Sequence, residues 1–236
     1  MSQPILSVEK LVAGYGKFSA IKNVDFQVYE GETVAIVGPN GAGKTTFLET
    51  IAGTIRPQAG QIFFQGRQIT HLSELGRRKL GLMLVPQDSY IFPGMSVKDN
   101  LDVAGILNPK KAIGPLLDYV YHLFPVLEER GRQLADTLSG GQRKMLAAGI
   151  GIVADAKVLL FDEPSIGLAP KLVTRLFEDL SRIKKDKGKT LILAEQNIKI
   201  LNIADRIFGL EAGECVFFEE RERLDQEQVR RLFLGG

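Results

Sequence analysis

The stretch Val34-Ala35-Ile36-Val37-Gly38-Pro39-Asn40-Gly41-Ala42-Gly43-Lys44-Thr45-Thr46 constrains the chain more than any other. An apolar run ends in a glycine-rich loop, and Lys-Thr-Thr opens a helical pattern. This is G-x-x-x-x-G-K-[ST] in a strand–loop–helix setting. Gly38, Gly41 and Gly43 let the backbone curl so that several N–H groups point inward at phosphate oxygens. The helix that opens near Lys44 adds its positive N-terminal end. Lys44 is expected to reach the β- and γ-phosphates of a nucleotide, and the Thr45 hydroxyl to sit on Mg²⁺.

With 236 residues, 44% of them hydrophobic and 25% charged, the chain fits one large domain, or one domain with a lobe inserted, around a real core. A formal net charge of +2 argues against a dedicated nucleic-acid binder, which needs a basic face, and leaves a neutral protein partner open. The single cysteine, Cys215, permits no internal disulfide, suits a reducing compartment and is expected to be a small buried strand residue. Met1-Ser2-Gln3-Pro4 has no basic region followed by an apolar core, so no secretory signal is expected. No apolar run approaches the ~18 residues of a membrane span. A soluble chain is expected, with any membrane role coming through a partner.

In order, 5–11 and 24–29 are predicted as strands around a turn at Gly14-Tyr15-Gly16, followed by a strand over 33–37 and a helix over 44–52 that stops at Gly53. Short strands are predicted over 61–65 and 82–85. From Asp88 to about Ile150 the spacing turns helical (Val97, Leu101, Ala104, then Leu116, Val120, Leu123, Leu127), which predicts an α-helical lobe inserted into an α/β core. The core resumes with a buried strand over 158–161. A helix over 171–184, a strand over 190–194, a helix over 197–204 and two closing strands follow. This alternation predicts a mainly parallel sheet with helices on both faces, with a core lobe of 1–87 and 151–236 and a helical lobe of 88–150 in a single domain. The runs Arg77-Arg78-Lys79 and 184–189 are expected to be solvated helix ends and turns, and 219–231 an exposed C-terminal helix.

Val158-Leu159-Leu160-Phe161-Asp162-Glu163 supplies the second half of a nucleotide site: an apolar strand pushes acids out at its C-terminal edge. Asp162 is placed to hold Mg²⁺, directly or through water, and Glu163 to accept a proton from an attacking water. Leu138-Ser139-Gly140-Gly141-Gln142 sits at a helix start, where Ser139 and the N–H groups of Gly140 and Gly141 form an anion site.

With that pentapeptide the chain resembles the ATP-binding cassettes of ABC transporters, and the pentapeptide matches the signature of the family. The resemblance implies a P-loop NTPase core with a mainly parallel sheet, an N-terminal antiparallel β part and an inserted α-helical subdomain. It implies ATP and Mg²⁺ as ligands. Residues 38–46 then bind the nucleotide, and Ser139, Gly140, Gly141 and Gln142 bind the γ-phosphate held by the other subunit. Tyr15 takes the aromatic position that stacks on adenine, and Gln87 matches the glutamine that touches Mg²⁺ and water. Ser165-Ile166-Gly167-Leu168 replaces the commoner Ser-Ala-Leu-Asp loop. The motifs span Tyr15 to about Asp205, nearly the whole chain.

Pro164 to Pro170, Glu195-Gln196-Asn197, Ile69-Thr70 and Phe92 to Val97 look like the ATPase subunits of branched-chain amino acid importers. Those work in pairs, as homodimers or with a paralogous ATPase, beneath two membrane permeases, with a solute-binding protein acting indirectly. The resemblance therefore implies a cytoplasmic subunit, peripheral on the inner face of the membrane. Three departures stand out. The two histidines, His71 and His122, are both far from the switch position, for which Gln196 is the choice and Glu195 the alternative. Ile150 replaces an arginine common in the signature helix. Gly149 and Gly151 weaken that helix by ~1 kcal/mol each relative to Ala, and close packing is the expected compensation. Tyr90-Ile91-Phe92 begins the helical lobe either as part of the core or as a contact surface beside Gln87. A soluble ABC-type ATPase and a regulatory module that binds ATP without hydrolysing it are the alternative functions. The intact Glu163 opposes the second of these.

Overall fold

The computed structural model describes residues 3–87, 91–106, 113–225 and 227. In chain order it has β1 (Leu6–Tyr15), β2 (Phe18–Val28), β3 (Thr33–Val37), α1 (Lys44–Ala52), β4 (Ala59–Phe64), β5 (Arg67–Gln68), α2 (Glu74–Leu80) and β6 (Leu82–Val85). Then come α3 (Val97–Gly105), α4 (Gly114–Leu123), α5 (Pro125–Glu129), α6 (Gly140–Val153), β7 (Val158–Asp162), α7 (Pro170–Lys187), β8 (Thr190–Glu195), β9 (Arg206–Glu211) and β10 (Glu214–Glu220). No described helix is long and apolar enough to cross a membrane.

Two sheets organise these elements. The first is antiparallel, in the order β2-β1-β4-β5. The second runs β10-β9-β3-β8-β7-β6; it is parallel from β9 to β6, and β10 closes one edge antiparallel. β3, β7 and β8 are buried along their whole length because both faces of the parallel sheet are covered. Alternate residues divide between the two faces, as a period of two requires. Val34, Ile36, Leu160 and Ile192 join a core with α1 and the antiparallel sheet, whereas Ala35, Val37, Phe161 and Leu193 join a core with α3 to α7.

The predicted elements are present with shifted ends. Gly14 and Tyr15 close β1 instead of forming the turn, which falls on Gly16-Lys17. Residues 198–202 form a short 3-10 helix, not the helix expected over 197–204, because the chain must enter β9 at once. Asp205 sets that entry: it accepts from Thr33 N through its carboxylate at 2.7 Å and donates its own N–H to Thr33 O at 2.8 Å. Glu219 and Glu220 end β10 and residues 221–223 make one 3-10 turn, so the C-terminal helix does not begin where it was expected. Most of its remainder, and Tyr90, lie outside the described residues.

Four side chains depart from expectation. Cys215 is exposed, because β10 is an edge strand with a neighbour on one side only. Arg77 is buried within its basic run: its guanidinium donates to Thr50 O and Ile51 O at 2.7 Å, Thr70 O at 2.9 Å and Leu72 O at 3.1 Å. Burial pulls its pKa down to about 10. In the other run Lys189 is buried against Asp155 at 2.6 Å and Lys184 pairs with Asp205 at 2.5 Å, so tertiary partners draw both out of solvent.

The helical lobe is α3, α4 and α5 laid against α6, which passes through residue 150 without a break and also touches β6. Gly149 and Gly151, in the second half of α6, make close contacts. A Cβ on Gly149 would come within 3.1 Å of both Val120 and Leu101, and one on Gly151 within 2.7 Å of Leu159. Ile91 packs against the core, whereas Phe92 is 52% exposed.

Candidate active site

All the parallel strands end at one edge, and four of them deliver predicted site residues there. β3 leads into the loop 38–43, β8 into Gln196, β7 into Glu163 and β6 into Gln87. The register aligns them: Val37 lies opposite Glu195, Asp162 opposite Ala194, and Val85 opposite Phe161. Beyond the carboxyl ends of such strands is where an open α/β sheet binds ligands.

Gly43 caps α1 in the left-handed region, with φ 104°. Lys44 is buried; its ammonium donates to Gly38 O at 2.9 Å and Pro39 O at 3.2 Å and lies 3.7 Å from Glu163 Oε1. Burial lowers its pKa, against the pull of Glu163, Asp162 and Glu195. Thr45 is exposed at the first turn of α1, and Thr46 is buried.

Asp162 is buried, and burial raises its pKa; the Thr45 hydroxyl and Lys44 oppose the shift, while Glu163 and Glu49 add to it. Its Oδ1 has no hydrogen-bond partner. A buried acceptor left this way is costly unless a ligand satisfies it. Among the described residues no group of three or more His, Cys, Asp or Glu could hold a metal ion. One carboxylate, the Thr45 hydroxyl and the Gln87 amide make an all-oxygen set, which suits Mg²⁺ sharing its shell with phosphates and water. These residues fit that ion.

Glu163 follows with φ 44°, a left-handed conformation rare for a residue with a side chain. Its Oε1 accepts a hydrogen bond from Gln196 Nε2, and the same amide nitrogen donates to Asn40 Oδ1 at 2.6 Å. Gln196 thus joins the phosphate loop to Glu163. Glu195 faces the interior. Its carboxylate accepts from Ser165 N and Oγ at 2.8 Å each, from Gln196 N at 3.1 Å and from Asn197 N at 3.3 Å. Burial raises its pKa, and these donors oppose the shift. Of the two candidates for the switch position, Gln196 faces the phosphate loop and Glu195 braces the turn behind it.

The remaining predicted residues flank this centre. Tyr15 is exposed on the first sheet and donates to Glu49 Oε2 of α1 at 3.1 Å. Gln87 is exposed just past β6. Ser139 N-caps α6 in a capping box with Gln142: Ser139 Oγ accepts from Gln142 N at 3.3 Å and Gln142 Oε1 from Ser139 N at 3.0 Å. Gly140 is exposed, and Gly141 lies beside Leu168 and Leu172. Among the described residues no hydrogen bond joins these four to the phosphate loop.

A family model described as ABC transporter matches residues 21–166. The chain belongs to the ABC transporter family. It is 36% identical over 234 residues to the high-affinity branched-chain amino acid transport ATP-binding protein BraG of Pseudomonas aeruginosa, covering 98% of this chain and 100% of that one. It is 35% identical over 233 residues to the probable branched-chain amino acid transport ATP-binding protein LivF of Archaeoglobus fulgidus, covering 98% and 99%. Its fold matches cbiO1 of Clostridium perfringens, part of the ABC transporter complex cbiONQ, with a TM-score of 0.82 at 30% identity over 98% of this chain and 94% of that one. This cassette is therefore an ATPase subunit of the ABC transporter type.

Three features of the cassette escape a reading of motifs. Phe18, 68% exposed, pairs across the hairpin with Tyr15 and presents a second aromatic face. Asn100 is buried and ties the turn after residue 91, accepting from Phe92 N at 2.7 Å and donating to Phe92 O at 3.0 Å and Ser96 O at 2.9 Å. Lys144 reaches from α6 to the Glu163 carbonyl. No spacing rule marks any of them; each is found only through its partner in the fold.

Proposed function

We propose that this chain is the ATP-hydrolysing subunit of an importer for branched-chain amino acids. The observation that favours hydrolysis over mere binding is the Glu163 carboxylate set between Lys44 and Gln196 at the mouth of the phosphate loop. The solute class rests on the near full-length similarity to BraG and LivF.

In this reading a single ATPase domain, with core lobe 1–87 and 151–236 and helical lobe 88–150, seats ATP with its phosphates in the loop 38–46 and its adenine against Tyr15. Lys44 turns from the carbonyls of Gly38 and Pro39 to the β- and γ-phosphate oxygens. Thr45, Asp162 and Gln87 would hold Mg²⁺, which when bound would neutralise phosphate charge. Two cassettes, identical or paralogous, close head to tail, and the signature residues Ser139, Gly140, Gly141 and Gln142 of each meet the γ-phosphate in the other. Glu163 takes a proton from a water that attacks the γ-phosphorus, the bond to the ADP oxygen breaks, and inorganic phosphate forms. Gln196 donates its amide to the γ-phosphate and helps fix the water. The acceleration is mostly positioning and charge stabilisation. ATP closes the pair and phosphate loss reopens it. Permease subunits hold the cassette on the inner face of the cell membrane, a solute-binding protein supplies the solute, and no nucleic acid takes part.

Glu163→Gln tests the reading. Phosphate release is expected to fall at least about a hundredfold, the lower range for losing a positioned base. Gel filtration with MgATP is expected to show a trapped dimer, alone or with the paralogue. Wild-type release would overturn the role of Glu163. A monomer even with permeases and paralogue present would overturn the closure scheme.

A further inference from the structure

Glu163 has an unusual backbone for a residue that must aim its side chain. Its φ of 44° lies in the left-handed region, so the surroundings have to hold it there. Its N–H donates to Ala194 O at 2.9 Å, and its carbonyl accepts from Ile166 N at 3.2 Å within the turn. On the far side of the turn Glu195 grips Ser165 through both N–H and hydroxyl. The remaining grip comes from outside the strand layer. Lys144, on α6 five residues after Ser139, donates from Nζ to the Glu163 carbonyl at 3.0 Å. A charged donor on a carbonyl makes a stronger hydrogen bond than a neutral one. It acts on the peptide unit that sets the direction of the Glu163 Cα–Cβ bond. The helix that carries it is the one whose first residues bear the signature.

We propose that Lys144 is a positioning residue for Glu163: its ammonium holds the carbonyl of the left-handed turn and thereby fixes the direction of the carboxylate that activates water. The inference rests on the reading of Glu163 as the base. The Lys144 ammonium sits on a backbone carbonyl of the turn, so its removal is expected to act on turnover and to leave ATP binding alone. It also extends the function of α6. The same helix that offers its N-terminus to the γ-phosphate of the other subunit steadies the base of its own.

The test compares Lys144→Met, which keeps the aliphatic stem and loses the donor, with Lys144→Arg, which keeps charge and donor. Both are measured in the assembled transporter by phosphate release over a range of ATP concentrations, with ATP affinity measured separately using a fluorescent analogue. Lys144→Met is expected to lower kcat by about ten- to a hundredfold, the scale of a displacement near one ångström at the reacting centre. KM and affinity are expected to stay within about twofold, and Lys144→Arg to restore most of the loss, because the geometry and not the nucleotide contact is at stake. Wild-type kcat in Lys144→Met, a loss confined to KM, or an Arg variant as impaired as Met would overturn the proposal. If circular dichroism shows that Lys144→Met does not fold, Lys144→Leu, which also lacks the donor, is judged by the same kcat-against-KM criterion. Glu163→Gln run alongside separates the two readings. If that variant retains turnover, the base reading fails; if it is inactive while Lys144→Met is fully active, this inference alone fails.

Discussion

In the proposed mechanism Gln196 gives a hydrogen bond to the transferred phosphate; in the structure its amide nitrogen turns toward Asn40 and Glu163. A glutamine amide donates but carries no charge and does not titrate, unlike an imidazole. In that mechanism it supplies the geometry of a switch histidine without the charge, and Glu163 is left as the base. Gln196→Ala is expected to lower turnover by roughly ten- to a thousandfold, reaching below the range for one lost donor, with ATP affinity changed less. Gln196→His is expected to stay active. Steady-state assays with binding measured separately check both. Near-normal turnover in Gln196→Ala would reject the switch role.

At the scale of elements, two helices are shaped by what they touch and not by their own propensity. The signature helix α6 carries Gly149 and Gly151 where alanine would serve an isolated helix better, and there a Cβ would force side chains of α3, α4 and β7 to shift. Helix α2 looks like a short charged surface segment, yet it exists to deliver Arg77. The Arg77 guanidinium donates to Ile51 O and to Thr50 O, which also accepts from Gly53 N, at the C-terminal end of α1. The same helix carries the phosphate loop at its start, so a loose C-terminus would loosen the loop. Arg77→Met is expected to destabilise the protein by about 3 kcal/mol, since it leaves buried acceptors unpaired. Urea unfolding checks this, and a change under about 0.5 kcal/mol would show that the carbonyls find other donors.

Across the whole molecule, the parallel sheet has one face covered by α1 and the antiparallel sheet and the other by α7 and the helical lobe. Beside that lobe lies an apolar groove of about 340 Å³, lined by Met83, Ile91, Phe92, Val103, Ile106 and Ile150 among others. Ile150 contributes to its apolar wall, and Phe92 stands half in solvent at its rim. Phe92→Ala is expected to spare folding and ATP hydrolysis by the isolated subunit and to reduce ATP-driven solute uptake in vesicles carrying the permeases. Unfolding seen by circular dichroism would assign Phe92 to packing. The segment from Val34 to Thr46, the acids Asp162 and Glu163 and the helix start at Ser139 were legible in the sequence. In each of them local backbone chemistry dictates the residue types: glycine for a tight loop, acids at the end of an apolar strand, Ser for a helix start. The alternation of strands and helices was legible for the same reason, because period and burial leave a pattern in the chain. Tertiary structure alone decided that Gln196 rather than Glu195 faces the loop, since neighbouring residues at a strand end point opposite ways and only the register says which way is in. It alone buried Arg77 and brought Lys144 to Glu163. A hydrogen bond between residues far apart in the chain depends on how helices settle against a sheet, and no local periodicity records that.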